Sequence, residues 1–186
     1  MAKIVAHSGE ITQGTIVDDI DWPNVLGIVV TNACDIEHEN AEFVTIAALV
    51  EAKKNITILP EFHNKIQGAN ETGGISKNAF TSLVTFVQSL IHNKNIIRYF
   101  FVCQNDEIGT PDLLVDFQNL ITIPIDELVK LRGIAQLPAP YIQQMIVHYT
   151  SYNSRIAVER LGDEQVASIV DRIVSPIHIK PPEPIG

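Results

Sequence analysis

The chain has 186 residues, 46% of them hydrophobic and 19% charged, which suits one globular domain or a small barrel with a helical appendage. Its 13 Lys and Arg stand against 22 Asp and Glu, a formal net charge of -9; they are scattered, with Lys53-Lys54 the densest pair, so general binding to nucleic acid or an anionic membrane is disfavoured. No stretch approaches the roughly 18 apolar residues of a membrane span, the opening MAKIVAHSGEITQG lacks the apolar core of a secretory signal, and Cys34 and Cys103 have no CxxC or CxxH companion; a cytoplasmic protein with reduced thiols is expected.

The first half reads as short strands. ITQGTIV (11–17) is a strand with Gly14 as a bulge or bend, and DDIDWPN (18–24) is an acidic, turn-rich connection. VLGIVVT (25–31) and EFVTIAALV (42–50) are apolar without alternation, which predicts burial on both faces or closure into a small barrel. ITILP (56–60) reads as a short strand or an extended arm. The glycine-rich IQGANETGGIS has no core pattern, so residues 61 to 75 are expected to form a loop.

Ser76 is a predicted N-cap, followed by Ala79, Phe80, Leu83, Val84, Val87, Leu90 and Ile91 at helical spacing, a helix over 76–92. IIRYFFVC (96–103) is a strand; QNDEIGTPD turns, and LLVDFQNLITIPI (113–125) pairs back with a break around Asn119. Beyond Pro124 the pattern becomes helical. Asp126 is expected to cap a short turn over 125–129. Pro138 and Pro140 open a helix from Tyr141 to Arg160, whose stripe is Ile142, Met145, Ile146, Tyr149, Tyr152 and Ile156. Gly162-Asp163 ends it, a last helix runs to about Val174, and the tail, SPIHIKPPEPIG, reads as extended. The expected division is a barrel-like domain over 1–125, a helical extension over 126–174 and a proline-rich tail over 175–186.

The densest chemistry lies in GIVVTNACDIEHEN (27–40). Cys34, Asp35 and His38 are of the types that bind zinc, and Cys103 with His63 or His92 would complete such a site; zinc ligands, however, come in paired motifs, and no second motif stands here. Cys34 as a nucleophile would need a base, while Asp35 and Glu37 would raise its thiol pKa. The favoured reading is a buried thiol at a strand end, with the Asp35 carboxylate accepting backbone N–H bonds in the turn. Thr31 is a hydroxyl at the strand end. Asp18, Asp19 and Asp21 lack the glycine and terminal glutamate of a calcium loop, and GANETGG lacks the Lys-Ser/Thr of a P-loop. Arg98, Arg132 and Arg155 are isolated and expected to pair with acidic neighbours. Trp22 and Tyr141, Tyr149 and Tyr152 have no interleaved basic residues, against a stacking platform for single strands. No cofactor is expected.

Two stretches carry a resemblance. GEITQG…LGIVVTNACDIEHENAEFVTIAAL resembles a pattern in uncharacterised prokaryotic proteins, in which a hydrophobic strand ends in Ser/Thr-x-x-Cys-Asp-Ile/Leu. RYFFVCQND…DLLVDFQNLITIPI, followed by Arg132, Ala135, Leu137, Pro140 and Tyr141, is similar to that group's later half. The first half also resembles the SH3-like barrel of the PemK/MazF growth-inhibitor toxins. In that family an arginine before the strand and a hydroxyl serve RNA cleavage; Thr31 stands at the hydroxyl position, whereas residues 18 to 26 hold three aspartates and no arginine. The resemblance therefore implies architecture.

The fold expected is α+β: a small SH3-like antiparallel β-barrel with an inserted helix and a C-terminal helical pair. The function expected is that of a non-catalytic accessory or sensor protein acting by protein–protein contact, with a second copy of the chain as another partner. The resemblance implies a bacterial stress or phage-defence setting. The alternative is an enzyme, either a degenerate MazF-like endoribonuclease or a metal-dependent hydrolase centred on Cys34, Asp35 and His38.

Overall fold

The computed structural model describes residues 1–18, 26–38, 40–71, 74, 76–94 and 98–154, and Met1–Arg155 forms one compact unit. The 19–25 connection, Arg155, the last predicted helix and the proline-rich tail lie outside the described residues.

The fold is mixed α+β. Seven strands, β1 (Val5–Ala6), β2 (Thr15–Asp18), β3 (Leu26–Val29), β4 (Phe43–Glu51), β5 (Tyr99–Val102), β6 (Leu113–Pro124) and β7 (Arg132–Gln136), form one sheet in the order β1-β7-β2-β3-β4-β6-β5. Every neighbouring pair is antiparallel. The sheet curls until its outer strands meet: Ala2 forms a parallel bridge with Val102, the Cys103 N–H donates to the Ala2 carbonyl at 2.9 Å, and Asn105 Nδ2 donates to the Ile4 carbonyl at 2.9 Å. The result is barrel-like.

Curling explains the apolar strands, because both of their faces are covered. Ile16, Ile28, Val30, Ala47, Leu49, Phe100, Val115 and Phe117 form the inner core. A second core on the outside joins Val17, Val29, Val44 and Ile46 to Leu128. A third joins Tyr99, Phe101 and Leu114 to Ala52, Ile56 and Leu90. Burying each large aliphatic side chain contributes roughly 1.5–3 kcal/mol, so strands serving two cores must be apolar at successive positions.

Six helices lie among the described residues: α1 (Ala33–Glu37), α2 (Ala52–Ile58), α3 (Pro60–Glu71), α4 (Lys77–Ile91), α5 (Ile125–Leu128) and α6 (Tyr141–Ser154). None is long and apolar enough to cross a membrane. α4 follows the sequence pattern: Ser76 Oγ accepts from the Ala79 N–H, and Leu83 and Leu90 are buried. α6 closes the inner core with Met145, aided by Ile142, Ile146, Tyr149 and Tyr152. Ile142 rests on Gly14, whose φ is +82° and whose Cβ, if present, would lie 2.8 Å from Ile142 Cγ1.

Four expectations need correction. Residues 56–60 are not a strand or arm, nor is most of 61–75 a loop: both belong to α2 and α3. Ala52 and Ile56 sit one helical turn apart against the third core, and Pro60 begins α3, where its missing N–H is harmless; packing overrides the β-branched composition of ITI. Residues 132–136, expected within a helical extension, are β7, seated between β1 and β2. Asp126 does not cap α5; Pro124 is the N-cap, without a side-chain bond.

The break near Asn119 is present. Ala48 pairs with Asp116 and Ala47 with Leu120, so Phe117, Gln118 and Asn119 are extra residues in β6. Asp116 ties the bulge by accepting from the Gln118 N–H at 3.1 Å and Asn119 Nδ2 at 2.7 Å. The free side of β5 is also occupied. Asn93, at a left-handed φ of 54° beyond α4, accepts from the Phe101 N–H at 2.5 Å and donates to its carbonyl at 3.3 Å.

Candidate functional site

The Thr-Asn-Ala-Cys-Asp-Ile motif is a strand exit that turns into a helix. The Thr31 hydroxyl accepts from the Thr45 N–H at 2.7 Å, extending the β3–β4 ladder by one side-chain bond. Asn32 then caps α1, its Oδ1 accepting from the Cys34 N–H at 3.2 Å. The helix closes as the Asp35 carbonyl accepts from the N–H groups of Asn40 and Ala41.

This geometry overturns the reading of a buried thiol tied by Asp35. Cys34 is exposed, and the side chain that accepts in the turn belongs to Asn32. Helical geometry does put Cys34 and His38 one turn apart, with His38 exposed and Asp35 half-buried. The proposed complements do not join them: His63 lies exposed on α3, His92 caps α4, and Cys103 packs against the third core. Burial, seconded by the Asp112 carboxylate, pushes the Cys103 thiol pKa up. Among the described residues no three His, Cys, Asp or Glu side chains gather as a metal-holding group.

Arg98 and Arg132 behave as expected of paired residues. Arg98 binds Asp116. Arg132 binds Asp18 across β7 and β2, and its hydrogen bonding holds the Asp18 carboxyl below its usual pKa. The tyrosines of α6 are packing residues, with Tyr149 tilted against Phe117 at 5.6 Å between ring centres. His148 meets Phe100 edge-on at 5.6 Å; burial pushes its imidazole pKa down, against a smaller opposing effect of the Asn93 backbone.

What α1 does build is one wall of a cleft of about 750 Å³. The Gly9–Thr12 segment and α5 form the others. Leu128 of the second core and the partly buried Ile11, Ile36 and Ile125 packed against that core give it an apolar floor. Val129, 83% exposed, stands at its edge. Each wall also supplies a carboxylate: Glu10, Glu37 and Asp126. Thr12 Oγ1 is shielded from solvent and has no hydrogen-bond partner among the described residues.

Sequence reasoning did not find this cleft, because its walls come from three segments far apart in the chain. A signal was nonetheless present. Each wall carries an isoleucine next to an acid: Glu10-Ile11, Ile36-Glu37 and Ile125-Asp126.

Comparison with known proteins finds no matching family model, no matching curated protein and no matching solved structure.

Proposed function

We propose that this chain is a non-catalytic protein-interaction module, and that the cleft between the Gly9–Thr12 segment, α1 and α5 is where it engages its partner. The observation that carries the reading is the cleft itself. An apolar floor under polar walls, with a volume inside the range of about 300–1,000 Å³ typical of ligand sites, suits the side chains of a docked segment. The alternative docking device, a free strand edge, has less support, because Ala2 and Asn93 occupy the outer side of β5. An SH3-like identity for the barrel belongs to the same proposal and rests on the N-terminal strand pattern.

Peptide selection tests it. A random display library panned on the wild-type protein is expected to enrich sequences that bind it and fail on Val129→Arg. That substitution fills the mouth at an exposed position and leaves folding intact. Enriched sequences that ignore Val129→Arg, or none at all, overturn the proposal. So would cleavage of labelled RNA by the wild type that Thr31→Ala abolishes, because the endoribonuclease alternative would then stand.

A further inference from the structure

We infer that the occupant of this cleft is a basic segment of a partner protein, with an aliphatic side chain on the isoleucine floor and flanking lysines or arginines facing Glu10, Glu37 and Asp126. The inference rests on the interaction-module reading and gives its partner a chemistry.

Charge is the first argument. Among the described residues the cleft is lined by three carboxylates and no cation. None of the three forms an ion pair among the described residues. The ammonium of Lys130, which also feels Asp126, is bound to Glu127 at 2.6 Å. Uncompensated carboxylates above a low-dielectric floor concentrate cations.

Spacing decides which cation. The carboxylates sit on three separate walls and do not converge into a metal-holding group, so each would meet its own positive charge. Several such charges along one chain describe a run of lysines and arginines. The floor adds a demand that a bare polycation does not meet. The half-buried Ile11, Ile36 and Ile125 gain only by covering with apolar atoms, so the run needs an aliphatic residue within it. In such a pairing the anchor supplies affinity, and the rim charges supply selectivity and association rate.

The test pans the same random-peptide library and compares wild type with the Glu10→Lys, Glu37→Lys double variant, both positions being exposed. The enriched peptides should carry Lys or Arg on both sides of an aliphatic residue and shift the amide resonances of Ile36 and Leu128. The double variant should bind them about tenfold more weakly or worse. Cleft-binding peptides that are neutral or acidic, or that the double variant binds equally well, overturn the basic partner and leave the interaction module standing. Failure of every peptide to reach the cleft removes both. Spermine or Mg²⁺ shifting those resonances where no peptide does overturns the peptide assignment in favour of a free cation.

Discussion

Arg98 grips Asp116 with two parallel hydrogen bonds, Nε to Oδ1 at 2.8 Å and Nη2 to Oδ2 at 2.7 Å. The carboxylate is buried, while the guanidinium lies over the Tyr99 ring and keeps 39% of its side chain in solvent. Among the described residues Asp116 accepts four bonds, two of them holding the β6 bulge. Replacing it with alanine should therefore lower stability by about 3 kcal/mol, the low end for a broken buried pair because Arg98 can rehydrate. Denaturant unfolding checks this, with the midpoint falling at unchanged slope. Arg98→Ala should remove most of what Asp116→Ala removes, so the double variant should be clearly less than additive.

Gly14 is held in a conformation that L residues avoid, directly beneath Ile142. Gly14→Ala should destabilise the protein by roughly 2 kcal/mol through backbone strain and overpacking together. Shortening Ile142 to alanine opens a cavity of its own, yet in the double variant it should relieve the clash. Thermal midpoints of the four proteins should show that compensation.

Asn93 does two separable jobs. Glycine at this position keeps the left-handed backbone but loses both bonds to Phe101, and should lower stability by about 1–2 kcal/mol. Alanine also pays the steric penalty of the left-handed region, about 1 kcal/mol more. Equal losses for the two variants in chemical unfolding would show that the carboxamide alone matters.

His148 gives the fold a pH dependence whose sign follows from its burial. Burial depresses its pKa in the folded state below the 6.5 of a free imidazole. As pH falls through that value the unfolded chain takes up the proton first, so the contribution present above it is lost on acidification. The thermal midpoint should drop as pH falls through 6.5, and His148→Phe should flatten that fall.

Strands with unbroken apolar runs and helices with one-sided stripes were legible from the sequence. Ser76 marked the start of α4, and the α6 stripe named Met145 and its neighbours because helical spacing and burial coincide there. The glycine bend and the β6 break were legible too, since turn-forming residues interrupt apolar runs at both. What failed had conflicting local signals. Ile56-Thr57-Ile58 favours strands by composition, and only the third core, contributed by β5, β6 and α4, holds it helical. Residues 132–136 read as part of a helical extension, yet they form β7, where the His7 ring covers Gly133 so closely that a side chain would collide with it. Cys34 drew attention as a ligand because its neighbours are reactive types; its helix instead presents Ile36 and Glu37 to a cleft that no single segment encodes.

The place of β7 bears on how the chain is made. β1 pairs with residues 135 and 136, and Thr15 Oγ1 donates to Gln136 Oε1, 121 residues further on. While a ribosome is still adding the middle of the chain, β3 and β4 can zip together, but the first strand has nothing to join. Contacts of such long sequence separation close late. Strand β1 therefore completes its ladder only after β7 has emerged.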